Sequence, residues 1–362
     1  MYNEPDEKRT EGLVAIINKL LVVIAVLVIS IVAMPFILFY KGQPDIPTTP
    51  IQNTTTTAEA TKTAATNYWA APPVNSITDA KQKEQVVYGQ ELIAHTAKYL
   101  GPNGSVLKIS NGMNCQNCHL QAGTAVFANN YGSVASLYPK FRARSGQVED
   151  IHKRVNDCFE RSLNGKALSK TSKEMQAITT YINFVGSNVE KGKKAEGSGL
   201  KELAWLDRAA DPEKGMTVYT ANCQSCHQAN GEGVFSADKT EYTYPALWGK
   251  NSFNDGAGLY RISNFAKYVK YNMPQGVTHL RTILTDEEAW DVSAFVISQT
   301  RPHINVPKDW PDISKKPVDH PFGPYADAFT ETQHKCGPFK PIEEEQKKRE
   351  ELTKQKTSIA KK

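Results

Sequence analysis

Two short stretches carry the plainest chemistry. "CQNCH" places Cys115 and Cys118 three residues apart with His119 directly after, and "CQSCH" does the same with Cys223, Cys226 and His227. Cys-x-x-Cys-His is the attachment pattern of c-type haem. The two thiols form thioether bonds to the porphyrin, and the imidazole binds the iron from one side. Structural zinc and redox Cys-x-x-Cys sites use similar spacings. Two copies, each with an immediate histidine and each flanked by helical patterns, select haem. The sequence therefore predicts two covalently bound haem c groups.

Each iron has a second face to fill. In the second block Met273 stands in "YNMPQG", 46 residues after His227. A methionine followed by proline in that context suits the soft axial ligand that raises the potential of a cytochrome c iron. The first block has no such loop. Measured back from the closing helical pattern, Met273 precedes Glu288 by 15 residues, and Cys158 precedes Glu174 by 16. Cys158 thus occupies the place of a distal ligand. Three other readings stand beside it: His152 as ligand, Met175 as ligand, or a disulfide between Cys158 and Cys336.

A thiolate ligand stabilises ferric iron and lowers the potential, which suits a site where sulfur itself reacts better than a simple carrier. The surroundings are cationic: Lys140, Arg142, Arg144, Lys153, Arg154, Arg161 and Lys166 all lie within "PKFRARSGQVEDIHKRVNDCFERSLNGK". If the segment is helical, Arg154 (i−4), Arg161 (i+3) and Ser162 (i+4) share the face of Cys158. Cations there favour the thiolate and offer forked donors to an oxyanion.

These residues need elements to hold them, and the chain supplies two similar blocks. "EQVVYGQELIAHTAKYLG" leads towards the first attachment motif, and "DPEKGMTVYTAN" runs directly into the second. Each block closes on another helical pattern, "SKEMQAITTYINFVG" and "TDEEAWDVSAFVISQ". This is a domain duplication, giving a mainly α fold of two class I cytochrome c domains at residues 76–190 and 205–305, joined by a Gly/Lys-rich linker at 191–204. Residues 306–341 are rich in proline and are expected to wrap onto the domains. Residues 342–362 are almost wholly charged and read as a disordered tail.

Residues 20–40 form an uncharged apolar run of 21, long enough to span a bilayer and long for a cleaved signal. Residues 1–41 are expected to be a cytoplasmic stub and transmembrane anchor, and residues 42–75, rich in Thr, Pro and Ala, a flexible tether. Lys8, Arg9 and Lys19 precede the run and only Lys41 closely follows it, which puts the bulk of the chain on the far side of the inner membrane, in the periplasm. Haem attachment is completed outside the cytoplasm, in agreement. The formal charge of +5 is a mild excess without a basic, aromatic-studded stripe, so nucleic-acid binding is not expected.

Taken together, "RVNDCFERSLNGK", the two attachment motifs, "ALWGKNSFNDGAGLYRI", "YNMPQG" and "DHPFGPYADAF" resemble the dihaem thiosulfate dehydrogenase family, also called tetrathionate reductases, over about residues 85–341. The resemblance implies oxidation of two thiosulfates to tetrathionate, reversible in some members, with electrons passed through a second haem to an external cytochrome or oxidase. It implies that Cys158 is a reactive iron ligand and that Arg144, Arg154, Ser162 and Lys166 cradle the substrate. Some relatives carry a lysine before the distal methionine; here that position is Asn272, which departs from a ligand-exchange switch. The competing class is a membrane-tethered dihaem carrier without catalysis, and a further enzymatic reading takes a carrier-protein cysteine as substrate.

Overall fold

The computed structural model describes residues 68–359, together with residues 19–21 and 24. Most of the expected membrane segment and most of the tether lie outside the described residues. No helix among the described residues is long and apolar enough to cross a membrane.

Each cytochrome domain is built on a crossed pair of helices. In the first, α1 (Ala80–Ala94) crosses α3 (Lys173–Val185). In the second, α4 (Pro212–Asn222) crosses α6 (Asp286–Ser298). Both crossings are close because a glycine sits at the contact. A Cβ on Gly89 would collide with the Ala177 carbonyl oxygen, and one on Gly215 with the Asp291 carbonyl oxygen. The helix starts are set by short polar side chains. Asp79, Asp150, Ser172 and Asp211 each accept from backbone N–H groups of the first turn, and Thr285 closes a reciprocal pair with Glu288.

Between these pairs lie the elements that carry the sites. Strands β1 (Lys140–Arg142) and β2 (Gln147–Glu149) form an antiparallel hairpin with Phe141 opposite Val148. The hairpin feeds α2 (Ile151–Arg161), the helix of Cys158. In the second domain β3 (Val234–Phe235) pairs with β4 (Tyr242–Tyr244), and α5 (Ile262–Asn272) ends at Met273. The fold is mainly helical, with these two small hairpins added.

The domains are stitched together around the first attachment motif. Tyr268 Oη donates to the Asn117 carbonyl at 2.7 Å, and Asn114 Nδ2 donates to Glu241 Oε2 at 2.9 Å. Asn254 takes over the end of α2: its Nδ2 donates to the Glu160 carbonyl at 2.8 Å, and its N–H to the Arg161 carbonyl at 3.1 Å. These are carbonyls that a helix C-terminus leaves without intrahelical partners.

The extension packs against both domains, through Asp309 to the first and through Asp319 to Arg261 and Ser263 of the second. The C-terminal stretch departs from its expected disorder. After α7 (Glu331–Cys336), residues Lys340–Ile359 form α8. Its start is anchored by apolar contacts that the charged composition hides. Ile342 is buried, and the ring of Phe339 packs 4.8 Å from Trp205 and 5.7 Å from Trp290. Pairs Glu343–Lys347 and Glu345–Arg349 run along the helix at i,i+4.

Candidate functional site

Cys115 and Cys118 lie on a short turn whose N-terminal residue, Asn114, is pinned by the domain interface. The Cys115 N–H donates to Thr96 Oγ1 at 2.9 Å. The ring of His119 is oriented from behind: its Nδ1 lies 2.6 Å from the Asn129 carbonyl oxygen, which can only accept. Nδ1 therefore carries the proton, and Nε2 is left free as a ligand atom.

Across from this turn stands α2. Cys115, Cys118, His119, Arg154, Cys158 and Ser162 line a single cavity. Its remaining wall is largely apolar, with Ile93, Met113, Val134, Val155, Phe159 and Leu163. The site thus offers two thiols for covalent attachment, an oriented imidazole on one side, a sulfur on the other and a greasy pocket between. That donor set fits a haem c group.

The three thiols of the cavity divide into a pair and a single one. Burial pushes the Cys115 and Cys118 thiols up to about 12. Burial also pushes Cys158 upward, but the Arg154 charge and the neighbouring His119 ring outweigh it and hold the thiol down at about 7. The geometric source is direct: Arg154 Nη1 donates to Cys158 Sγ at 3.3 Å. Cys158 is the one sulfur of the cavity placed to be anionic near neutral pH.

The other readings of Cys158 and its neighbours fare differently. All six cysteines are free, so no Cys158–Cys336 disulfide is formed; the Cys336 thiol is half-buried at the end of α7. Met175 is fully buried in the core on α3, and His152 lies by Asp150 outside the cavity lining.

Among the expected cradle residues, Arg154 and Ser162 reach the cavity and two others do not. The Lys166 side chain is exposed and outside the lining, with only its backbone N–H engaged, on the Ile109 carbonyl. Arg144 turns away to a second cleft beneath the extension. There its Nε donates to Asp309 Oδ2 at 2.7 Å and its Nη2 to the Gly256 carbonyl at 2.8 Å. Arg161, also on the Cys158 helix, grips the same carboxylate with both terminal nitrogens, at 2.8 and 3.0 Å. Asp309 was invisible to sequence reasoning. It stands 148 residues beyond Arg161, in a Pro-rich stretch with no local signal.

The second attachment motif is simpler. Cys223, Cys226 and His227 surround the turn after α4, and His227 Nδ1 lies 2.8 Å from the Pro245 carbonyl, again leaving Nε2 free. Burial lowers the His227 pKa, favouring the neutral ring that binds metal. Met273 caps α5 and packs, like Cys223, against the main hydrophobic core. Two thiols, a neutral imidazole and a thioether again fit a haem c group. The chain carries two such groups, one per domain.

The comparisons agree with this division. Residues 107–190 match the SoxA/TsdA cytochrome c domain and residues 212–300 the cytochrome c domain. The chain is 37% identical to a thiosulfate dehydrogenase of Psychrobacter arcticus over 67% of its length and 71% of the relative's. It is 35% identical to one of Allochromatium vinosum, over 65% of this chain and 85% of that one. Among solved structures, the "as isolated" thiosulfate dehydrogenase TsdBA of Marichromatium purpuratum superposes with a TM-score of 0.61 at 26% identity. That match covers 72% of this chain and only 54% of the solved one.

Proposed function

The chain belongs to the thiosulfate dehydrogenase family, and on that premise we propose that it joins two thiosulfates into tetrathionate, with release of two electrons, in the cavity between the first attachment motif and α2. The observation that carries this reading is the Arg154–Cys158 contact inside the cavity that also holds Cys115, Cys118 and His119. A carrier has no use for a cationic fork against an ionisable sulfur.

The residues present divide as follows. Cys115 and Cys118 would hold the first haem and Cys223 and Cys226 the second; His119 and Cys158 would supply ligand atoms to the first iron, and His227 and Met273 to the second. When bound, the haem groups supply one-electron acceptance and a route outward to an external acceptor. The Cys158 sulfur forms a bond to the outer sulfur of one thiosulfate as two electrons leave. The outer sulfur of a second thiosulfate then attacks that same sulfur, the bond to Cys158 breaks, and tetrathionate departs with Cys158 restored as thiolate. Splitting one coupling of two dianions into two steps is ordinary covalent catalysis. Arg154 offsets the charge gathering on the adduct, and Ser162, one turn further on, offers a hydroxyl to a sulfonate oxygen.

We further propose that the apolar run of residues 20–40 anchors the chain in the inner membrane with the haem domains periplasmic. Protein that washes off membranes in high salt overturns the anchor. The catalytic reading is tested by steady-state oxidation of thiosulfate with ferricyanide, and in reverse by tetrathionate with a reduced viologen. Turnover and a tetrathionate product are expected. A haem-loaded protein that exchanges electrons with ferricyanide but shows no thiosulfate turnover is the tethered carrier instead.

A further inference from the structure

Three acids and bases outside the cavity bear on its charge, and they meet at one point. Arg161 lies on α2 one turn beyond Cys158, and Arg144 comes from the loop of the β1–β2 hairpin. Both guanidinium groups converge on the Asp309 carboxylate, which is about as buried as Arg161 and more buried than Arg144. Asp157, the other acid on this face of α2, is held by Lys153 and reaches Arg161 Nε only at 3.9 Å, a looser contact than either of those from Arg161 to Asp309. Asp309 is therefore the group that balances two arginines, and it is delivered from the extension beyond the second domain. A local acid on α2 or in the hairpin would serve helix stability equally well. Bringing one across the whole chain places a fixed negative charge beside a site whose substrate and product are both dianions.

We propose that Asp309 is a positioning residue that sets the net charge of the Arg144–Arg161 pair outside the cavity, one of them on the Cys158 helix, weakening dianion affinity so that product can leave; this rests on the reading of the neighbouring cavity as a thiosulfate site. It touches no reacting atom. It acts by occupying both terminal nitrogens of Arg161 and the Nε of Arg144, so that their positive charge is offset before it reaches a dianion in the neighbouring cavity. Two consequences have signs opposite to those of a purely structural pair. Removing the negative charge strengthens substrate binding, and the stronger hold on the tetrathionate dianion slows turnover.

The test is thiosulfate oxidation by the haem-loaded full chain carrying Asp309→Asn. KM is expected to fall about three- to tenfold at low ionic strength, with kcat falling alongside it and the KM difference shrinking as salt is added. Asp309→Glu should restore wild-type values, and Arg161→Gln, which removes a positive charge instead, should raise KM. An unchanged or higher KM in folded Asp309→Asn overturns the proposal. If that variant fails to fold, Arg161→Gln decides, and an unchanged KM there overturns it equally. Absence of thiosulfate turnover in the unaltered protein is a separate result, which removes the functional reading itself.

Discussion

Arg154 and Cys158 face each other one helical turn apart on α2, with the guanidinium Nη1 3.3 Å from the sulfur. The pair is enclosed in a cavity where water cannot screen it well, so the cation holds the sulfur near its ionised state. Its removal separates binding from cofactor attachment. Arg154→Ala should leave both haems covalently bound and lower kcat/KM for thiosulfate ten- to hundredfold. That is the kinetic equivalent of losing a charge-assisted hydrogen bond worth about 1.5–3 kcal/mol. Wild-type kcat/KM in this variant would remove Arg154 from the site.

Lys166 makes the complementary case. Its side chain is exposed and lies outside the cavity, although its position in "RSLNGK" suggests a substrate contact. Lys166→Ala should change kcat/KM by less than about threefold, through long-range charge alone. A loss as large as that of Arg154→Ala, measured in the same assay, would mean that the lysine swings inward when substrate binds.

The contrast between these two residues shows what a sequence reveals. Helical spacing placed Arg154 on the face of Cys158, because i−4 neighbours meet whatever the tertiary fold. The attachment motifs are local too, and a five-residue pattern carries them whole. The duplicated helix pairs were legible from periodicity, whereas the close crossings at Gly89 and Gly215 emerged only from the structure. What was illegible is non-local. Asp309 draws Arg144 away from the cavity across 165 residues, and Asn254 caps α2 across 94. No periodicity or motif encodes either partner. The charged tail failed for a related reason: its order depends on Phe339 and Ile342 finding Trp205 and Trp290, contacts that composition cannot report.

The second domain gives a spectroscopic prediction. Met273 ends α5, where its N–H bonds the Val269 carbonyl at 3.1 Å, and its thioether is the proposed partner of His227. Met273→Ala should abolish the weak absorption near about 700 nm that marks a ferric His/Met haem, and lower the potential of that haem. Thiosulfate affinity should stay within about twofold, since Met273 does not line the Arg154 cavity. Retention of the band by the variant rules Met273 out as ligand.

Stability should depend on pH through Asp319, which is fully buried under the extension. Burial pushes its carboxyl upward, but Arg261 and the Ser263 hydroxyl and N–H more than reverse this and hold it below the ordinary carboxylate range. A carboxyl with a depressed folded pKa contributes stability that is present above its unfolded value, about 4, and is lost as pH falls through the folded one. Unfolding temperature should therefore drop as the solution is acidified below about pH 4. Asp319→Asn should lower it at pH 7, by the roughly 3 kcal/mol that breaking a buried pair costs, and flatten the acid limb. Parallel acid limbs in wild type and Asp319→Asn would assign the acid sensitivity to other carboxylates.

The last prediction concerns Cys158 itself and separates catalyst from carrier. Haem attachment uses Cys115, Cys118, Cys223 and Cys226, so Cys158→Gly should retain both covalent haems on a denaturing gel. Thiosulfate turnover should fall by at least about a thousandfold, as expected when a covalent nucleophile is removed. The first haem should lose its low-spin spectrum or take up water, and its potential should rise because an anionic donor is gone. Cys336→Ser serves as the control, since the Cys336 thiol is free and on α7, far along the chain from α2. It should leave the spectrum and the activity unchanged. If Cys158→Gly instead keeps a low-spin first haem and full thiosulfate turnover, the sulfur is neither ligand nor nucleophile, and the covalent scheme built on the Arg154 contact is wrong.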